Sequence, residues 1–147
     1  MPAACEFRPR RAQLVAWALL GAVWLGVAAL LVLSWTTLQR FEWADRILTI
    51  VFAGAGSYII VRQAIVRAVP SEKGLTVRNL ITTTYVEWEQ IVGVNFSAHR
   101  PWVSLDLSDG DILAVMAIQS ADGEYGQSEA LRLAALVRDH EGHEWVG

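Results

Sequence analysis

Between Ala12 and Gln39 the chain carries no charged residue, and Leu14 to Leu33 is apolar or small throughout. A bilayer core about 30 Å thick needs about 20 such residues in a helix that rises 1.5 Å per residue. One charge at the centre of such a span costs about 3 kcal/mol, so the run predicts a transmembrane helix over about residues 12–35. A secretory signal peptide is the alternative, because Arg8, Arg10 and Arg11 form a basic leader. Its apolar core normally runs about 7–15 residues and ends at an A-x-A-like site. This run is longer, and Leu33-Ser34-Trp35-Thr36-Thr37 offers no such site. The run is read as an uncleaved span.

A second apolar run, Ile47 to Val61, lies between Arg46 and Arg62. Continued to Val66 it reaches spanning length, with Arg62 near enough to the end to snorkel its guanidinium to the headgroups. The expected spans, about 12–35 and 47–66, form a hairpin whose connection is flanked by Trp35 and Trp43, residues that favour the interface. Helices in lipid approach through small residues. Ala18, Ala22 and Gly26 recur every four residues in the first span, and Ala53 and Ser57 in the second; these five are the expected packing positions. Three arginines precede the first span, Arg40 and Arg46 lie in the connection, and Arg62, Arg67 and Lys73 follow the second. The bias places both termini in the cytoplasm, with the chain in the plasma membrane. Cys5, the single cysteine, is then a free thiol on the reducing side.

The charge divides along the chain. Residues 1–66 hold six arginines against Glu6, Glu42 and Asp45, a net of +3, whereas residues 67–147 hold six basic residues against twelve acidic ones, a net of −6. An acidic second half excludes a general nucleic-acid binder. It also argues against phosphoinositide binding, which needs lysines and arginines converging on a loop. The first loop that could serve, Ser71-Glu72-Lys73-Gly74, sets one lysine beside one glutamate.

After Val66 short β-branched and aromatic runs alternate with turn residues. They are Leu75–Asn79, Ile81–Trp88, Ile91–Phe96, Trp102–Leu107 and Ile112–Ala117, the last two joined by the turn Ser108-Asp109-Gly110. Val103, Leu105 and Leu107 alternate with Ser104 and Asp106, the mark of a strand buried on one face. From Ser128 to Asp139, Ala130, Leu133, Ala134 and Val137 share one helical face, with Ser128 placed to cap the start. The expected fold is a membrane α-hairpin of two transmembrane helices, followed by a small β-rich barrel or sandwich with one C-terminal α-helix. Its parts are 1–66 (N-terminal tail and hairpin), 67–140 (cytoplasmic domain) and 141–147 (acidic tail).

The ordered set Gly74-Leu75-Thr76-Val77-Arg78-Asn79, Val86-Glu87-Trp88, Ile91-Val92-Gly93-Val94, Arg100-Pro101-Trp102, Leu105, Leu107, Asp109-Gly110 and the helix at 128–138 resembles the membrane-anchored bacterial pleckstrin-homology (PH) domain proteins of actinobacteria. These are also labelled the low molecular weight protein antigen 6 family. The resemblance covers about residues 67–140, and the preceding hairpin fits it. It implies a PH-like fold, two packed antiparallel sheets capped by a helix, and brings no catalytic residues.

His99-Arg100-Pro101-Trp102 is the most site-like segment: Pro101 stiffens the loop, and Arg100 and Trp102 are side chains that anchor interfaces. The competing reading has Trp102 beginning a strand at the barrel end with Arg100 covering it. Trp88 is expected in the core. His140 and His143 are three apart with Gly142 between them, unlike the four-residue spacing of a zinc helix, so His140–Glu144 reads as a frayed acidic tail. Asp106, Asp109 and Asp111 read as solvated turn carboxylates without the spacing of a calcium loop. No catalytic constellation, cofactor motif or metal set is visible. The expectation is a non-enzymatic integral membrane protein that offers a cytoplasmic domain, through Arg100, Pro101 and Trp102 and its strand edges, to a protein partner. The second reading is a lipid-binding or lipid-sensing module.

Overall fold

The computed structural model describes residues 6–37, 42–97 and 99–141. The chain divides into two compact units: Ala12–Ala64, and residues up to Arg11 together with those from Ile65 onward.

The first unit is helical. Helix α1 spans Arg10–Thr36 and α2 spans Trp43–Ala64. At the start of α2 the Asp45 carboxylate accepts the Glu42 N–H at 3.0 Å, which satisfies a donor that no helical carbonyl can reach. Both helices are long and apolar enough to cross a membrane. They run antiparallel: the Gln13 side-chain amide donates to Ala64 O at 2.9 Å, the Trp24 indole N–H to Ser57 Oγ at 3.0 Å, and the Arg46 guanidinium lies 4.2 Å from the Trp35 ring centre. The covered line of α1 is Gln13, Ala16, Leu20, Val23, Val27, Leu31 and Ser34. Ala53 and Ser57 lie on the covered line of α2, but Ala18, Ala22 and Gly26 are exposed on α1. A Cβ built on Gly26, Gly54 or Gly56 would meet nothing within 4 Å. The four-residue repeat of small residues in α1 is therefore not the contact with α2. Side chains that reach across, Trp24 above all, join the helices where a close backbone approach was expected.

The second unit is built of six strands. Strands β1 (Arg67–Pro70), β2 (Gly74–Arg78) and β3 (Thr83–Glu87) form one antiparallel sheet in that order; β4 (Ile91–Asn95), β5 (Trp102–Leu107) and β6 (Ile112–Gln119) form another. Helix α3, Glu124–Glu141, follows. Leu75, Val77, Trp88, Ile91, Val103, Leu105, Val115, Ile118, Leu133 and Val137 make the shared core, so α3 contributes core volume that two small sheets lack. Buried Asn79 joins the sheets: its side chain donates to Ala114 O at 2.7 Å and accepts the Met116 N–H at 3.1 Å. Asn79→Ala leaves both backbone groups unpaired and is expected to lower stability by about 1–3 kcal/mol, read as a shift in the denaturation midpoint; an unchanged midpoint would show that the two sheets do not depend on this bridge.

Two boundaries differ from expectation. Helix α3 begins four residues before Ser128, whose hydroxyl bonds Tyr125 O inside the helix at 2.8 Å and does not cap it. More consequentially, the segment before α1 is not a tail. Phe7 is fully buried in the β-rich core, and its N–H and C=O both pair with Ala68, at 2.8 and 3.0 Å. The Arg132 guanidinium lies 4.0 Å from the Phe7 ring centre and the Arg10 guanidinium 4.1 Å from that of Tyr125. Arg11 donates its N–H to the Asp122 carboxylate and its guanidinium to Ala121 O, each at 3.0 Å. Residues Glu6–Arg11 thus act as a strap that completes the second unit.

Candidate functional site

The loop between β4 and β5 is held closely. Arg100 N–H donates to Ser97 O at 3.1 Å, and Pro101 O accepts both the N–H and the hydroxyl of Ser120, at 3.0 and 3.3 Å. Trp102 is half-buried, opens β5 and pairs with Gln119. The Arg100 guanidinium donates to Ser104 Oγ at 2.9 Å. It covers the outer face of β5 and does not stack on Trp102. Of the three expected surface residues, Pro101 and Trp102 therefore serve to fix the loop, while Arg100 remains exposed above Ser104.

Beside this loop lies a cavity of about 540 Å³ lined by Phe96, Ser97, Ser120, Ala121, Gly123 and Gln127. It continues the end of β4, which stands at the edge of its sheet. From Ile91 to Ser97 the strand and its extension carry no charge and no proline, and Val92 is 60% exposed. Edge strands are ordinarily protected by charges, prolines, bulges or a covering helix; here β4 carries one register irregularity, between Ile91 and Gly93, and α3 packs beside it. Chemically the arrangement offers backbone pairing, one apolar wall and a few hydroxyl and amide groups, the equipment of a peptide-binding edge.

A second cavity, about 340 Å³, is lined by Glu72, Lys73, Glu87, Trp88, Glu89 and His140. Trp88 is buried as expected, with its indole N–H on Ser71 O at 2.9 Å. His140 is not frayed. It lies in the last turns of α3, stacks on Trp88 with ring centres 4.6 Å apart, and donates from Nδ1 to Leu136 O at 2.7 Å. His143 and Glu144 lie outside the described residues. The aspartates of the β5–β6 hairpin are separated by role: Asp106 accepts from the Asn95 side chain at 2.7 Å, and Asp109 from the Asp111 N–H at 3.0 Å. Among the described residues no group of three or more His, Cys, Asp or Glu side chains could hold a metal ion.

Two three-stranded antiparallel sheets closed by a C-terminal helix are the architecture that the family resemblance implies, and the match falls on that stretch. Residues 66–135 match the family model described as bacterial PH domain. Over that stretch the chain is similar to bacterial PH domains. Uncharacterized proteins of Mycobacterium bovis and of two Mycobacterium tuberculosis strains are each 36% identical to it over 86 residues, covering 56% of this chain and 53% of each relative. The chain thus spans about half the length of the curated relatives it matches. No solved structure matches it. Sequence patterns missed the Glu6–Arg11 strap because its one large apolar residue, Phe7, stands alone among Glu6, Arg8, Pro9, Arg10 and Arg11.

Proposed function

We propose that the protein is a plasma-membrane scaffold: α1 and α2 cross the bilayer as a hairpin, and the PH domain stands in the cytoplasm to bind another protein. The exposed apolar surface of the helices carries this reading. Among the described residues, eighteen of the 23 exposed large hydrophobic side chains lie on α1 and α2, including Leu14, Leu25, Trp35 and Phe52. At about 1.5–3 kcal/mol each for complete burial, leaving even part of that surface in water costs tens of kcal/mol. A domain's whole stability is about 5–15 kcal/mol, so the helices need a lipid environment. The hydroxyls of Ser34, Thr36 and Thr49 bond carbonyls of their own helices, the pattern that suits a solvent without hydrogen bonds.

The strap supports the topology independently of the arginine bias. Phe7 pairs with Ala68, so the residues before α1 and those after α2 must share one compartment; two crossings satisfy that and one does not. The arginine bias then selects the cytoplasm. A periplasm-active reporter fused after Gly147 should be silent, and an active fusion would reverse the orientation.

For the partner, the reading rests on β4 and the cavity at its end. An extended segment of another protein would pair along Ile91–Asn95 and place one side chain against Phe96. Val92→Lys puts a charge on that edge without touching the core. It should remove crosslinks that map to residues 91–97 in native membranes; their persistence would move the partner elsewhere on the domain.

A further inference from the structure

The wall of the cavity beside β4 is also the seat of the strap. Ser120, Ala121 and Gly123 line that cavity; they belong to one short 3-10 turn, Ser120–Asp122, and the glycine that closes it. From one side Pro101 O holds the turn by the N–H and hydroxyl of Ser120. From the other side Arg11 holds it, with its N–H on the Asp122 carboxylate and its guanidinium on Ala121 O, each at 3.0 Å. Among the described residues Arg11 is not one that lines the cavity.

Asp122 makes this contact more than a brace. It is 6% exposed, and the N–H that it accepts belongs to the first turn of α1, which starts at Arg10. Such an N–H has no carbonyl of its own helix to reach, and a buried carboxylate left without a donor is costly. Each group therefore needs the other. When the strap leaves, Asp122 must turn toward water, and it cannot do so without moving the turn that carries Ala121. Gly123, at φ +60°, gives that turn a residue free to change conformation. We infer that docking of the strap and binding of an extended segment at the β4 cavity are linked through Ser120–Asp122. The wall is in place only while Arg11 is held, and a segment seated against it favours the docked strap in return. Phe7 anchors the strap in the core; Arg11 is the residue through which the start of α1 reaches the cavity. Arg11 and Asp122 are thus positioning residues, acting on the site without touching what occupies it. The link rests on the reading that this cavity belongs to the partner surface, and it lies wholly within the second unit.

The test is hydrogen–deuterium exchange of the full chain, with crosslinking in native membranes beside it. Arg11→Pro removes the N–H and the guanidinium together, and proline is accepted in the first turn of a helix. Asp122→Ala removes the acceptor without leaving a buried charge. In each variant the amides of Ser120, Gly123 and Gln127, which are bonded within this wall, should exchange about tenfold faster, the equilibrium weight of one hydrogen bond to a charged group. The double variant should be no faster than either single one, because both remove the same contact. Asp122→Asn keeps an acceptor oxygen and should retain most of the protection. Exchange of β2 and β3 should be unchanged throughout. Crosslinks that map to residues 91–97 should fall in Arg11→Pro, although that residue is remote from the cavity. Unchanged exchange in both single variants, effects that add in the double variant, or a rise that spreads to β2 and β3 overturns the link and leaves the partner site in place. Crosslinks at 91–97 that persist in Arg11→Pro beside a loosened wall do the same. Absence of those crosslinks from the parent protein removes the partner site and the link with it.

Discussion

Phe7→Ala is expected to destabilise the PH-like domain by about 3–5 kcal/mol, although residue 7 lies far outside the stretch that matches the family model. The side chain is fully buried, its backbone completes a bridge to Ala68, and Arg132 covers its ring. Removing a large buried aromatic costs the transfer free energy and leaves a cavity as well. In a unit this small the loss is a large share of the total. Urea titration of the full chain with pulse proteolysis measures it: cleavage of the domain should begin at much lower urea than in the parent protein. An unshifted profile would mean that the strap decorates the domain without completing its core. By the same reasoning, residues 67–147 alone should be a poor stand-in for the domain.

The second large effect is a reversal of sign. Replacing glycine by alanine inside a helix ordinarily stabilises it by about 1 kcal/mol. Gly126→Ala should instead cost about 2 kcal/mol or more, because a Cβ there would stand 2.1 Å from Gln119 O. Backbone, not a flexible side-chain end, is in the way, so either α3 or the end of β6 must move. Gly74→Ala meets the same obstacle at Val86 O, 2.2 Å away, and should weaken the β2–β3 pairing. Thermal unfolding of the two variants decides the matter; stabilisation of either would show that α3 or β2 sits less closely than described.

What could be read from the sequence was local. Trp102–Leu107 announces itself because Val103 and Leu105 alternate with Ser104 and Asp106, and Asp109-Gly110 marks the turn that follows. The charge-free run from Ala12 specifies a long apolar helix by composition alone. The failures are contacts between distant residues. Phe7 meets Ala68 and Arg67 meets Glu6 across 61 positions, and no periodicity records such a pairing. Strand β1 was hidden because it is four residues long and ends at Pro70. The α1 stripe misled for a different reason: small residues four apart permit close contact but do not require it, and Trp24 reaching Ser57 selects another face. The candidate surface was legible in part. The loop from Ser97 to Trp102 borders the cavity, but the charge-free edge of β4 becomes a surface only once the sheet order is known.

The proposed hairpin, with the PH-like domain and its strap on one side of the bilayer, is tested most directly by two single-cysteine variants in a Cys5→Ser background, labelled with a membrane-impermeant maleimide. Thr37→Cys lies just past the end of α1, and Glu72→Cys is on an exposed loop of the domain. Once the outer envelope is opened and the inner membrane left intact, Thr37→Cys should label, and Glu72→Cys should label only after the inner membrane is permeabilised. Labelling of both from the same side would contradict the two-crossing hairpin.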